Sequence, residues 1–264
     1  MNRALNGLMA GIAGLVLVSA SAGAFGQVSW TDTFSGGTPQ QSWTLAANGP
    51  TGALQTYGSG FTDLSGNGAG AVFATVGSPT FSGSTGVTVR ATLNPTQTTQ
   101  NVANGVLAAT NLAFGNAYTA TITMGGSGFL EIQRNSFGTA TQIASSGGAF
   151  TPGFSGLNTY VLELIVAPNS SQIVANAYDS TGTTLLNSIS AVDPSPLTGN
   201  YTAGILMQRN SAGTLQGTFG TVSAVGVPEP STVALAVGGA IGTAGLGAWR
   251  RLRSGRRSAG DSRA

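Results

Sequence analysis

Tyr160-Val161-Leu162-Glu163-Leu164-Ile165-Val166 and the segment soon after it, Ile173-Val174-Ala175-Asn176-Ala177-Tyr178, decide the fold class of this chain. Both segments are rich in the β-branched and aromatic residues that strands prefer. Turn-forming residues follow each of them, at Pro168-Asn169-Ser170-Ser171 and at Asp179-Ser180-Thr181-Gly182. The pattern predicts antiparallel strands, with each of these turns as a hairpin loop.

The same strand pattern recurs along the central part of the chain. Apolar and polar residues alternate, or β-formers cluster, in four further segments: 72–76, 87–93, 118–124 and 129–134. Alternation with a period of two indicates a sheet with one buried face. Short strands separated by short turns predict one all-β domain, built as an antiparallel two-sheet sandwich or jelly roll.

The composition excludes several classes of chemistry. The 264 residues include no His and no Cys, and all ten cationic residues are Arg. Catalytic triads with His, Cys nucleophiles, thiolate zinc sites and Schiff-base lysines are therefore ruled out. Between the two ends of the chain lie only three arginines, against six carboxylates. A nucleic-acid-binding body needs clustered cations, so no nucleic-acid partner is expected.

The N-terminus has the three parts of a secretory signal peptide. Arg3 provides the positive charge, an apolar stretch runs from Leu5 to Val18, and Ala22-Gly23-Ala24 offers a cleavage site. We expect a signal helix over residues 1–24 that signal peptidase removes. An uncleaved membrane anchor is the alternative.

The C-terminus has the features of a single membrane-spanning helix. An apolar run follows Pro228-Glu229-Pro230 and predicts a transmembrane helix over about 232–249. The cationic residues directly after it would hold that end in the cytoplasm; they are Arg250, Arg251, Arg253, Arg256 and Arg257. The body would then lie outside the inner membrane.

This order of motif, apolar helix and basic cluster over residues 227–257 resembles the PEP-CTERM sorting signal of bacteria. The resemblance implies recognition by an exosortase, cleavage near Pro228-Glu229-Pro230, and release or transfer to the cell surface. Proteins with this signal are typical of bacteria that make exopolysaccharide and biofilm. An ordinary single-pass anchor is the alternative, and residues 258–264 are expected to form a disordered tail.

The body, predicted over residues 25–226, resembles concanavalin-like and laminin-G-like jelly rolls. The segments that carry the resemblance are 30–35 with Trp43, 117–182 and 217–225. The resemblance implies that segment 217–225 forms the last strand and pairs beside the first. Trp30 and Trp43 are expected in the core.

Hydrolysis of glycosidic bonds would require two carboxylates at a defined separation. Glucanases of the concanavalin-like fold carry them as Glu-x-Asp-x-x-Glu, which this chain lacks. A Glu131/Glu163 pair from neighbouring strands remains an alternative. We instead expect Glu131 to be solvated and to pair with Arg134 or Arg209, and Glu163 to lie on an outer face near an arginine. The chain is therefore not expected to be an enzyme.

Sugar binding without catalysis requires an aromatic side chain and a few polar partners. The candidate aromatic residues are Tyr57, Phe61, Phe154 and Tyr201. The alternative for each of them is a place in the hydrophobic core. No cofactor is expected. Calcium is the one metal with candidate ligands, Asp63 and Asp179, and both residues also suit ordinary turns.

Taken together, the sequence predicts an exported protein of the bacterial surface or extracellular matrix. It would be anchored transiently in the inner membrane, and it would bind or organise extracellular polysaccharide without cleaving it. A self-associating coat protein or adhesin is the first alternative, and a glycoside hydrolase is the second.

Overall fold

The computed structural model describes residues 27–94, 102–110, 116–124, 129–136, 139–147, 158–170 and 172–227. The predicted signal peptide, the Pro228-Glu229-Pro230 motif, the predicted membrane helix and the arginine-rich end lie outside these residues. No helix within the described ranges is long and apolar enough to cross a membrane.

The described body consists of antiparallel strands in two sheets. Sheet A contains β1 (Ser29–Asp32), β3 (Thr51–Gly58), β4 (Phe61–Asn67), β6 (Val87–Asn94), β11 (Tyr160–Val166), β12 (Gln172–Tyr178), β13 (Leu185–Val192) and β15 (Thr214–Gly226). Sheet B contains β2 (Trp43–Asn48), β5 (Gly70–Phe81), β7 (Val102–Ala109), β8 (Asn116–Met124), β9 (Leu130–Ser136), β10 (Thr139–Ser145) and β14 (Tyr201–Arg209). Two short 3₁₀ turns span Ser35–Gly37 and Pro168–Ser170.

The chain crosses repeatedly between the two sheets. Sheet A has the order β13-β12-β11-β6-β15-β4-β3, with β1 also beside β15, and sheet B has the order β10-β9-β8-β7-β14-β5-β2. The successive strands β4, β5, β6 and β7 alternate between sheets, as do β13, β14 and β15. Strands far apart in sequence therefore lie side by side at the centre of both sheets.

The predicted hairpin at 160–178 is confirmed. β11 pairs with β12, with Leu164 opposite Ala175, and the 3₁₀ turn at Pro168–Ser170 connects them. Leu162, Leu164 and Val166 face the core, because alternate residues of a strand point to the same side. The turn at 179–182 likewise connects β12 to β13, as predicted.

The first and last strands pair as the resemblance implied. Trp30 of β1 lies opposite Ala224 of β15. The segment 30–35, which carries the resemblance to a first strand, is only partly extended. β1 ends at Asp32, because Phe34 adopts a left-handed backbone with φ 50°. The Asp32 carboxylate accepts a hydrogen bond from the Phe34 N–H over 3.0 Å and holds this turn.

The main core lies between the sheets and includes the predicted tryptophans. Trp30 is buried, and Trp43 packs against it edge to face, with 5.8 Å between ring centroids. The largest fully buried side chains include Phe34, Phe81, Tyr118 and Phe219. Burial of each large apolar side chain contributes roughly 1.5–3 kcal/mol, which stabilises a chain without disulfides.

Candidate functional site

The outer face of sheet B carries a polar cluster across its central strands. On β8 and β9 the residues that point away from the core include Thr119, Thr121, Glu131, Gln133 and Asn135. They point outward because Tyr118, Ala120, Ile122, Leu130 and Ile132, which alternate with them, belong to the core.

A hydrogen bond between two glutamines shows that this face is concave. The Gln208 side-chain amide donates to Gln133 Oε1 over 3.1 Å, although β14 and β9 are separated by β7 and β8. In register, Gln133 lies opposite Thr119, Thr119 lies opposite Leu107, and Leu107 lies opposite Gly204. Gln133 is therefore aligned with a residue of β14 that is four positions from Gln208. In a flat sheet the two Cα atoms would lie roughly 20 Å apart. Two glutamine side chains span only roughly 13 Å, so the sheet bends toward this side.

Glu131 extends this bridge into a chain of polar groups. Gln133 Nε2 donates to Glu131 Oε2 over 3.2 Å, so Gln133 joins Gln208 on one side to Glu131 on the other. Glu131 is only 9% exposed. This burial raises the pKa of its carboxyl group, and the bond from Gln133 opposes part of the shift.

Several polar atoms around this chain are buried without a hydrogen-bond partner. They are the Oγ1 atoms of Thr75, Thr119 and Thr121 and the Nδ2 atom of Asn135. Buried polar atoms in native proteins are nearly always paired, so these four atoms are an exception within the described residues. Gln133 and Gln208, in contrast, are half-buried and accessible at the edge of the cluster.

Apolar side chains adjoin the polar cluster on the same face. Phe73, Leu107, Leu206, Ala109 and Ala117 form a second buried apolar cluster, separate from the main core. Leu107 lies opposite Thr119 in register, and Leu206 lies opposite Gly105, which in turn lies opposite Thr121. The concave face, defined here as these apolar residues with the polar cluster, therefore mixes hydroxyl, amide, carboxylate and apolar groups.

The aromatic residues predicted from sequence do not form this site. Tyr201 is fully buried, and its hydroxyl donates to the Leu197 carbonyl over 3.0 Å, so its prediction as a sugar-binding residue is wrong. Tyr57 is half-buried and stacks on Phe34 with 6.0 Å between centroids, in contact with the core. Phe61 is half-buried, and its ring lies against Gly58. Phe154 lies outside the described residues.

The two calcium candidates are far apart in sheet A. Asp63 is on β4 and accepts a hydrogen bond from Thr218. Asp179 follows β12, where its Oδ1 accepts bonds from Thr181 Oγ1 (2.7 Å) and the backbone N–H of Thr183 (3.2 Å). These bonds lower the pKa of Asp179 to about 2, as is typical of a turn residue. Within the described ranges, no three acidic side chains cluster as a metal site would require.

The expectation for Glu131 needs correction, whereas Glu163 lies on an outer face opposite Arg90 in register, as expected. Glu131 is buried and does not pair with Arg134, which binds Asp193 at 3.4 Å, or with Arg209, which binds Ser211 and Thr214. Glu163 does lie on an outer face, but its hydrogen bonds come from Asn176 (2.8 Å) and Tyr178 (3.0 Å). Because Glu131 is in sheet B and Glu163 is in sheet A, they are not on neighbouring strands. A Glu131/Glu163 catalytic pair is therefore wrong.

Three site residues were not predicted from the sequence: Gln133, Gln208 and Asn135. The available signal was the run of polar residues at alternate positions of 119–123 and 131–135. That run indicated an outward face without indicating that the face is concave, because sheet curvature depends on all the strands together.

Comparisons with known proteins identify the fold. A scan against protein-family models and a search of curated proteins both find no match. Similar solved structures include a basic winged bean lectin with Tn-antigen (10% identity, TM-score 0.50, covering 77% of this chain and 100% of the lectin). Others are the Emp47p carbohydrate recognition domain (11%, 0.51, 76% and 95%) and a lichenase from a mouse hindgut metagenome (9%, 0.51, 76% and 100%). The body therefore has the concanavalin-like jelly-roll fold shared by lectins and glucanases.

Proposed function

We propose that this chain is an exported protein of the bacterial surface or matrix, and that its concave face binds polysaccharide without cleaving it. The observation that carries the proposal is the Glu131–Gln133–Gln208 chain among buried, unpartnered hydroxyl and amide groups. Sugar hydroxyls both donate and accept hydrogen bonds, so they suit the half-buried amides of Gln133 and Gln208 at the edge of this cluster. Winged bean lectin and the Emp47p recognition domain show that this fold supports sugar recognition in other proteins.

The distribution of carboxylates supports a non-catalytic role. Glycoside hydrolysis uses a pair of carboxyl groups, about 5–5.5 Å apart for retention or 6.5–9.5 Å for inversion. Within the described residues, Glu131 is the one carboxylate on the outer face of sheet B. A lone carboxylate held by an amide suits hydrogen bonding to a sugar better than bond cleavage.

The proposed location rests on the two ends of the sequence. The signal-like segment 1–24 would direct export by way of signal peptidase. The Pro228-Glu229-Pro230 motif, apolar run and arginine cluster would anchor the protein transiently in the inner membrane and present it to an exosortase. The body would then reach the cell surface or matrix, where polysaccharide is the available partner.

A depletion assay tests the binding proposal. The full chain, purified in mild detergent, is mixed with insoluble neutral glycans and with the producer's exopolysaccharide, with calcium or with chelator. Saturable depletion is expected, and Gln133→Ala should weaken it by roughly threefold to tenfold, because it removes the amide that joins Glu131 to Gln208. Gln172→Ala, an exposed glutamine on β12 of sheet A, is the matched control and should have no effect.

Other outcomes of this assay decide among the alternatives. Depletion that disappears in chelator would show that a metal site contributes. Release of reducing sugar that Glu131→Gln abolishes would favour the glycosidase. Depletion that Gln133→Ala and Gln172→Ala leave equally unchanged would overturn the concave face as the binding site.

Self-association as a coat protein or adhesin is the second candidate function. β13 is an edge strand of sheet A and carries no charged residue. Leu185 and Val192 at its two ends are 52% and 74% exposed. An uncharged edge strand with exposed apolar residues is a template for pairing with another strand, including β13 of a second copy.

A further inference from the structure

A groove of about 360 Å³ lies on the outer face of sheet A, away from the concave face. We call it the arginine groove and define it by Arg90, Thr92, Thr181, Gly182, Thr221 and Ser223. It runs over β6, β11 and β15 and ends at the β12–β13 loop. Among the described residues that line it, Arg90 is the one that carries a charge.

The Arg90 guanidinium is held in place by contacts with the loop and with an aromatic ring. Its Nη2 donates to the Gly182 carbonyl, and its Cζ lies 4.9 Å from the centroid of the Tyr178 ring. Gly182 has φ 71°, and a Cβ there would lie 2.6 Å from Nη2. Glycine at this position therefore provides both the turn and the space that Arg90 occupies.

Among the described residues, Arg90 has no carboxylate partner. The ion pair found there joins Arg134 to Asp193 instead. Glu163 lies directly opposite Arg90 in register, but its Oε1 accepts bonds from Asn176 and Tyr178 instead. A guanidinium carries five N–H donors in a planar fork that matches a carboxylate. Arg90 thus keeps donors for a ligand while its orientation is already fixed.

The remaining polar groups of the groove are neutral hydroxyls. Ser223 lies opposite Arg90 in register, and the groove is also lined by Thr92 and Thr221. These three hydroxyls make no hydrogen bond to another described residue. One fixed cation beside neutral hydroxyls, with the nearby Glu163 carboxylate held by Asn176 and Tyr178, suits a ligand that has one anionic group and several hydroxyls.

We propose that the arginine groove binds the carboxylate of an acidic sugar, a hexuronate unit of a polysaccharide. The carboxylate would accept bonds from Arg90, and the sugar hydroxyls would contact Thr92, Thr221 and Ser223. This site goes beyond the proposed function because it uses the opposite sheet and none of the residues of the concave face. A chain with both sites would hold two polysaccharide segments on opposite faces of the sandwich.

Calorimetry with the full chain tests this site. The probes are a hexuronate oligosaccharide and a neutral oligosaccharide of the same length. We expect binding of the uronate to fall by roughly tenfold to a hundredfold in Arg90→Gln. Arg90→Lys, which keeps the charge but loses the planar fork, should retain part of the affinity. Gln133→Ala should leave uronate binding unchanged.

A second variant keeps the test decisive if Arg90→Gln does not fold. Ser223→Asp leaves the contacts of Arg90 with Gly182 and Tyr178 in place and puts a carboxylate opposite the guanidinium. It should abolish uronate binding, because the new carboxylate would accept the hydrogen bonds that Arg90 would otherwise donate to the uronate. Uronate binding that is unchanged in folded Arg90→Gln or Ser223→Asp would overturn the proposal. Loss of uronate binding in Gln133→Ala alone would assign that ligand to the concave face instead.

Discussion

Asp32 is fully buried, and its carboxylate organises the turn after the first strand. Its oxygens accept bonds from the Phe34 N–H (3.0 Å), the Gln41 N–H (3.1 Å) and Trp43 Nε1 (2.7 Å). One side chain thereby connects β1 of sheet A to the start of β2 in sheet B. Its main role is structural, because its acceptor capacity is used inside the fold.

Asp32→Ala should lower the free energy of unfolding by about 3 kcal/mol, because the Gln41 N–H and Trp43 Nε1 lose their acceptor and the Phe34 N–H keeps only Gln40 Oε1. Asp32→Asn, which keeps one oxygen acceptor, should cost less. Urea denaturation measures both. Ser35→Ala, at an exposed residue of the same turn, is the control and should change stability by less than about 1 kcal/mol. A loss no larger in Asp32→Ala than in Ser35→Ala would contradict this role.

Glu131 has the opposite effect on stability, because its environment disfavours its charge. Burial raises the pKa of Glu131 in the folded state above its ordinary value of 4.5. Folding therefore favours the protonated acid, and the ionised group destabilises the fold at pH values above its folded-state pKa. Below the unfolded-state pKa this destabilisation is absent.

Glu131→Gln should therefore be more stable than the wild type at pH 7, and the difference should shrink as the pH falls toward 4. The substituted amide still offers an oxygen to Gln133 Nε2, so the hydrogen bond is retained. Urea denaturation at both pH values measures the difference, and the effects of all other carboxylates cancel. A stability difference that stays constant with pH would show that ionisation of Glu131 is not its cause.

At the scale of elements, β7 and β14 were not predicted from the sequence, and both are buried along most of their length. β11 and β12 show alternating burial, and their alternation in sequence predicted them. All eight residues of β7 are buried, so Val102–Ala109 shows no polar–apolar alternation. β14 is buried at its first seven positions for the same reason. Central strands covered on both sides lose the period of two on which sequence reasoning depends.

The edge strand β13 provides a prediction at this scale. If the chain self-associates, Ser190→Lys should reduce concentration-dependent assembly, because a charge on an edge strand opposes pairing. Analytical ultracentrifugation of the full chain in detergent measures the distribution of species. Thr183→Lys adds the same charge in the neighbouring loop and should leave assembly unchanged. Equal assembly in both variants would exclude β13 as the contact.

At the scale of the whole molecule, the body and the two ends have separate tasks. The described body contains two candidate sugar sites on opposite sheets, one built on Glu131, Gln133 and Gln208 and the other on Arg90. The ends are predicted from sequence to carry address signals. A protein of this design would be exported, held at the membrane, and then released or transferred to organise polysaccharide outside the cell.

Replacing Pro228, Glu229 and Pro230 by alanine should leave the protein in the inner membrane, because an exosortase would no longer recognise it. Fractionation of the producing cells and immunoblotting with an antibody to the body measure the distribution. Ser231→Ala, the adjacent residue, is the control and should be sorted as the wild type is. Unchanged release of the triple variant would refute handling by an exosortase.

The sequence by itself determined the all-β class, the 160–178 hairpin and the inward faces of the alternating strands. It could do so because strand propensity and a period of two are local properties. The addresses predicted at the two ends are local in the same sense, since each depends on one continuous segment.

Only the tertiary structure decided which faces meet. Gln208 contacts Gln133 across 75 residues of sequence, and Glu131 and Glu163 lie in different sheets although both belong to predicted strands. An alternating pattern specifies the side on which a residue lies but not its neighbouring strand. Strand order and sheet curvature arise from the packing of all the strands together, and they create both the concave face and the arginine groove.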